Sequence, residues 1–423
     1  MILLRILTLI FALIGTPLFI VIAAATIICF HTAGIDISAI MIEIYRMANA
    51  PMLMALPLFA FAGIILAKSN APRRLLRVSN AIFGWFPGGL AIVSLITCAF
   101  FTAFTGASGI TIIALGGLLL PSLLREKYPE TFSLGLLTTS GSLGLLFPPS
   151  LPLIIYGIVA KTSIDQLFLA GIVPGIFLVI LLSLFSILKG INAKVPRQAF
   201  SFIELLRAIK EAIWEIPLPI VVLGGVYSGY IAISEAATIT AFYALLVEVF
   251  IKGDVKIKDL FKIIQQSMIL VGSILIILGC ALAFTNYLID AEVPMRILSF
   301  FKAHITSKFL FLILLNIFLL IVGCMMDIFS ALTIVVPLIV PIAKAYGINL
   351  LHLGIIFLTN LEIGYSTPPV GINLFISSLF FERPILKLYL ASLPFLAILI
   401  FALIVITYVP DLSLFLVRVV SGQ

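Results

Sequence analysis

Charge is what this chain has least of. Only 10% of its 423 residues are Asp, Glu, Lys or Arg, where a soluble domain carries about a quarter. So few charges cannot cover a water-facing surface, which argues against any separate soluble domain. Cysteine and histidine are scarce too. Cys29, Cys98, Cys280 and Cys324 lie inside apolar runs without paired spacing, and His31, His304 and His352 sit at the edges of such runs with no HExxH pattern. The cysteines read as packing residues, and metal enzymes are disfavoured. Intramembrane aspartyl proteolysis would need two facing aspartates, yet only Asp327 lies deep and no GxGD pattern occurs. A channel would show polar pore-lining faces without the paired helix breaks described below.

What is abundant is apolar sequence, 63% of the chain. A span needs about 20 apolar residues. The polar gaps at 31–50, 68–77, 125–130, 161–166, 189–216, 252–265, 290–308, 344–350 and 382–387 leave room for about ten to twelve spans. The run Met1 to Phe30 is too long for a signal h-region and lacks a small-residue cleavage site, so it is expected to stay as structure. The net charge of +7 is spread in short clusters between apolar runs, a pattern of membrane orientation rather than nucleic-acid binding.

Two segments, Gly84 to Leu124 and Lys308 to Ala343, are too long for one helix and carry a break near the middle. Read as re-entrant hairpins, they put 17 of the 25 Lys and Arg on one side, which is thereby cytoplasmic. The expected fold is an all-α polytopic membrane protein of ten spans and two hairpins, with the N-terminus outside and Arg5 its weak point. Pro217 to Ile251 should form two short spans meeting near Tyr230 to Ser234, with Ser234 as N-cap and Glu235 as a second cap. Residues 199–216 repeat Phe202, Leu205, Leu206, Ile209 and Ile213 at helical spacing and form an interfacial connector. Ile37 to Met47 and Val255 to Ile264 look like shorter versions.

The halves repeat. Phe147-Pro148-Pro149-Ser150 and Thr367-Pro368-Pro369-Val370 are offset by 220 residues, and the same offset carries Pro121 onto Pro341 and Gly106 onto Met326. Gly15-Thr16-Pro17 with its Ala-Ala-Ala-Thr resembles Gly229 to Thr238. The chain therefore divides into a first repeat (1–198; hairpin 84–124, unwound helix 141–150), the connector, and a second repeat of inverted topology (217–423; hairpin 308–343, unwound helix 362–371). A Pro-Pro pair lacks two backbone donors and interrupts a helix, freeing carbonyls in mid-membrane.

Freed carbonyls and hydroxyls suit a hard cation, and half-helix N-termini suit an anion. One sodium site is expected from Gly106, Ser108, Ser142, Gly144 and Pro148, and a second from Gly323, Asp327, Gly364 and Thr367. Thr105, Ser108, Ser150, Asp327, Ser330 and Thr367 are the expected substrate contacts, with Ser140 and Ser366 nearby. Asp327 stands out because a carboxylate at membrane depth needs a partner; Glu362 reads as either a ligand or an interface charge. No Lys or Arg falls inside the site, so anion binding should depend on co-bound sodium.

The tip FTGASG (104–109), the break GSLGLLFPPS (141–150), GVYSGYIAISEAATITAFYAL (225–245) and STPPVGINLF (366–375) resemble, over essentially the whole chain, the DctM-type large membrane subunit of TRAP (tripartite ATP-independent periplasmic) transporters. The family's usual Pro-Thr-Glu-Ala is here Ile233-Ser234-Glu235-Ala236, a mild departure. The resemblance implies an elevator-type ion-transporter fold in the bacterial inner membrane, sodium at each tip, a small four-helix membrane partner and a periplasmic substrate-binding protein. It also implies a small organic anion as substrate, a dicarboxylate or a sugar acid such as sialic acid. Stand-alone sodium-coupled carboxylate symporters share the plan but carry Ser-Asn-Thr at both tips, where this chain has Thr-Gly-Ala-Ser and Met-Met-Asp-Ile.

Overall fold

The computed structural model describes residues 16, 18–49, 51–195, 199–228, 230–305 and 307–421, and these are helical with short connections. Most of the Gly15-Thr16-Pro17 landmark, Arg5 and Gly229 lie outside the described residues. In chain order the helices are α1 (Leu18–Ala33), α2 (Ser38–Ala48), α3 (Ala55–Lys68), α4 (Ala71–Phe83), α5 (Gly89–Thr105), α6 (Ser108–Arg125) and α7 (Glu130–Ser140). A 3-10 turn, Leu143–Leu146, precedes α8 (Leu151–Ala160), α9 (Ile164–Asn192) and α10 (Phe202–Glu211). The second half holds α11 (Pro217–Tyr227), α12 (Ile233–Leu245), α13 (Ile257–Asp290), α14 (Val293–His304), α15 (Lys308–Met325) and α16 (Ile328–Ala345). It ends with α17 (Leu350–Gly364), α18 (Ile372–Phe380), α19 (Ile385–Tyr408) and α20 (Pro410–Ser421).

Among the described residues seven helices are long and apolar enough to cross a membrane, or nine when the bent pairs α3–α4 (74°) and α7–α8 (46°) are each taken as one span. Four shorter apolar helices, α1, α5, α11 and α17, add to these. Each hairpin is two helices around a two-residue tip, and an offset of 220 carries α6 onto α16 residue for residue. The same offset carries the Pro148-Pro149 break onto Pro368-Pro369.

Several expected boundaries move. The gap 68–77 opens an amphipathic helix, because Arg73, Arg74 and Arg77 repeat on one face, so hairpin one begins at Gly89 rather than Gly84. The gap 290–308 likewise holds α14. Val255 to Ile264 is not a separate interfacial helix: it runs into α13, 34 continuous residues without proline, whereas Pro51 interrupts the corresponding stretch of repeat one. The second break starts after Gly364, so Glu362 is still helical. Ser234 lies inside α12, and the cap is made by Glu235, whose Oε2 accepts from Ala232 N–H at 2.8 Å.

The two repeats interlock. α6 of hairpin one packs on α18, the helix after the second break, and α16 of hairpin two packs on α8, the helix after the first. Around this pair of hairpins lie α3, α12 and α13, with α4 leading from α3 into hairpin one and α14 leading into hairpin two. On α4, Arg74 bonds Glu215 (2.6 Å), Glu248 (2.9 Å) and Asp254 (2.5 Å), and Glu248 is fully buried. Arg77 holds Glu204 and Glu211 of α10.

Candidate functional site

At the first tip, Gly106 reverses the chain with φ +63°, a left-handed value that glycine adopts without strain. Just before it, Thr102 Oγ1 donates to the Gly141 carbonyl at 2.7 Å and lies 2.8 Å from Thr111 Oγ1, which is 3.4 Å from Thr105 Oγ1. This buried three-threonine cluster joins the tip to the start of the first break. Ser108 Oγ donates to Asn373 Oδ1 at 2.7 Å, and Asn373 Nδ2 donates to the Thr138 carbonyl at 3.3 Å. The first tip is therefore tied both to its own repeat and to α18 of the other.

The break itself packs tightly against the hairpin. A Cβ on Gly144 would lie 2.2 Å from Ala99 O and 2.4 Å from Ala103 N on α5. Its counterpart Gly364 meets Gly323 on α15, where a Cβ would lie 2.5 Å from Gly323 C. Both crossings need glycine, since only a missing side chain allows such backbone approach. The two breaks touch each other as well: Ser142 Oγ donates to the Glu362 carbonyl at 3.3 Å. These residues are 220 apart, so the two breaks touch at equivalent positions.

At the second tip, Asp327 is the N-cap of α16. Its Oδ1 accepts from Phe329 N–H and Ser330 N–H, both at 3.0 Å, and its Oδ2 accepts from Ser330 Oγ. Its bonds go to its own helix, and the pattern Asp-x-x-Ser at a helix start is a capping signal that was open to reading in the sequence. The tip meets its break through Ile328 N–H donating to Tyr365 Oη at 2.5 Å and Gly371 N–H donating to the Cys324 carbonyl at 3.0 Å. Thr367 Oγ1 donates back to the Ile363 carbonyl at 2.8 Å, and no bond joins it to Asp327.

Of the expected ligands, Gly106, Ser108, Ser142 and Gly144 gather around the first tip, and Gly323, Gly364 and Asp327 around the second. Pro148 is buried and lines an apolar cavity of about 370 Å³ with Phe100, Phe147 and Ile176. Ser150 and Ser366 are fully buried with free hydroxyls. Thr102, Thr111 and Asn373 join the site although the sequence did not mark them as ligands. The two breaks are not equally enclosed: Pro148, Pro149 and Ser150 are buried, whereas Pro369 and Val370 are exposed. Chemically, each tip offers oxygens from carbonyls and hydroxyls beside the N-terminus of a helix, a set that can hold a hard cation and an anion side by side.

A family profile described as "Tripartite ATP-independent periplasmic transporter, DctM component" matches residues 2–412. The C4-dicarboxylate TRAP transporter large permease protein DctM of Pseudomonas aeruginosa is 34% identical, with 92% of this chain and 91% of the relative covered. The ectoine/5-hydroxyectoine TRAP transporter large permease protein UehC of Ruegeria pomeroyi is 30% identical, with 96% and 95% covered. Among solved structures, the YdaH transporter of Alcanivorax borkumensis, described as having an unusual topology, superposes with a TM-score of 0.61 at 14% identity over 89% of this chain and 86% of that one. That last likeness is one of fold.

Proposed function

Because the chain belongs to the DctM-component family of tripartite ATP-independent periplasmic transporters, and so is a multi-pass inner-membrane permease, we propose that it moves a small organic anion inward by coupling to sodium. The observation that carries this reading is the pair of break-against-hairpin crossings that recur 220 residues apart, Gly144 against Ala103 and Gly364 against Gly323. Each is rich in oxygen and carries no Lys or Arg, so an anion there needs a co-bound cation. The contact between Ser142 and Glu362 supports inverted repeats, with one tip reached from each side as the hairpins move past α3, α12 and α13 in an elevator stroke.

The site chemistry and the relatives' names together support the substrate class. A C4-dicarboxylate, as in the name of the Pseudomonas aeruginosa permease, matches a positive helix end beside a cation, and sugar acids such as sialic acid share that carboxylate chemistry. A small four-helix membrane subunit and a periplasmic binding protein complete the system.

The test is uptake of radiolabelled C4-dicarboxylate by proteoliposomes holding the permease with both partners. An inward sodium gradient should drive accumulation, and a proton gradient alone should not. Equal rates under the two gradients would refute sodium coupling.

A further inference from the structure

Glu362 is fully buried, and neither of its carboxylate oxygens has a hydrogen-bond partner. One helical turn further on, Ser366 is also fully buried with its hydroxyl free. Three unengaged side-chain oxygens thus lie one helical turn apart at and just past the end of α17, where the Glu362 backbone carbonyl accepts from the Ser142 hydroxyl of the first break. Leaving this carboxyl ionised and unpaired costs several kcal/mol, so the ionised form needs a charge of opposite sign beside it.

Among the described residues no such charge lies nearby. The cations on helices packed against α17 lie at their far ends: Lys308 opens α15 and Lys344 lies in the last turn of α16, each at the end remote from the tip. Lys189 ends α9, some 18 residues beyond the point where Gly171 touches the first break. Lys387 is paired with Glu130, and Arg418 with Asp411.

We propose that Glu362 and Ser366 form a further monovalent-cation site where the two breaks touch, beside the second tip and additional to the ion expected there. This rests on the sodium-coupled reading and deepens it. Hard cations take oxygen ligands, and an ion here would join the two unwound segments at their point of contact. Its release would free one break to move relative to the other.

The site is tested by equilibrium binding of radiolabelled sodium alone to the purified, assembled transporter. Glu362→Gln keeps the side-chain volume and removes the charge, and it should bind one ion fewer per chain than the parent. Ser366→Ala should keep the same capacity but weaken one site several-fold, and it serves as the readout should the first variant fail to assemble. Unchanged sodium capacity and affinity in both variants would overturn this site while leaving the tips intact. A parent protein that binds no sodium would overturn the coupling scheme itself.

Discussion

Asp327 caps α16 and, in the proposed function, also serves the cation; a substitution series separates the two roles. As an N-cap it satisfies backbone donors of α16, and losing that contact in Asp327→Ala should cost about 1 kcal/mol. The expected result is a lower melting temperature for the purified protein. Asn is also a good cap, so Asp327→Asn should melt with the parent and report on charge alone. We expect it to lose sodium-driven uptake; a parental rate would leave capping as the whole role of this carboxylate. Gly364 is more constrained. A methyl group there meets the backbone of Gly323, so Gly364→Ala should destabilise the hairpin packing by about 1–3 kcal/mol, measured as a fall in melting temperature. The threonine cluster shows what single residues conceal in a sequence. A hydroxyl in a membrane helix often bonds its own preceding turn, and nothing local distinguishes Thr102 and Thr111, which do not, from Thr26 and Thr359, which do. Asn373 reaches Ser108 across 265 residues, beyond any spacing rule.

The broken helices are the elements on which the proposed function turns, and they were plain in the sequence because proline leaves an unambiguous mark on a helix. Replacing Pro148-Pro149 with Ala-Ala restores two backbone donors and should let helix extend from the 3-10 turn Leu143–Leu146 into α8. Carbonyls now free near the first tip would then be consumed. The expected outcome is normal insertion with weakened sodium dependence of uptake, and an unchanged sodium titration would show that the break is not a ligand source. Hairpins and the amphipathic connector were legible for the same reason, since a strong local signal fixes each. The helices α4 and α14 were hidden because polar residues on one face of a surface helix look, by composition, like a loop. The fusion of Val255 to Ile264 into α13 was hidden because amphipathicity shows a helix but not where it joins the next.

At the scale of the molecule, the two helices that lead into the hairpins are held differently. α4 is clamped by Arg74 to three carboxylates, whereas α14 carries Arg296 and Lys302 with no acidic residue, and neither is paired among the described residues. Arg74→Ala would leave buried Glu215 and Glu248 without their cation and should destabilise by about 3–5 kcal/mol, seen in thermal melting. Asp254 adds a pH dependence. Partial burial opposes its ionisation, but the Asn70 side chain and the Arg74 guanidinium hold its carboxyl below the ordinary value. Its contribution is therefore full above the usual carboxylate range and is lost as pH falls through that lowered folded value. Melting temperature against pH should show an acid-side loss that is smaller in Asp254→Asn. The interlocking of α6 with α18 and α16 with α8 bears on biosynthesis. The partner surface of α6 is made only about 250 residues later. At bacterial or eukaryotic elongation rates of about 5–20 residues per second, hairpin one waits roughly ten to fifty seconds in the bilayer with Ser108 lacking Asn373. A chain truncated after α10 should therefore insert but be degraded, and co-synthesis of the second half as a separate polypeptide should rescue it.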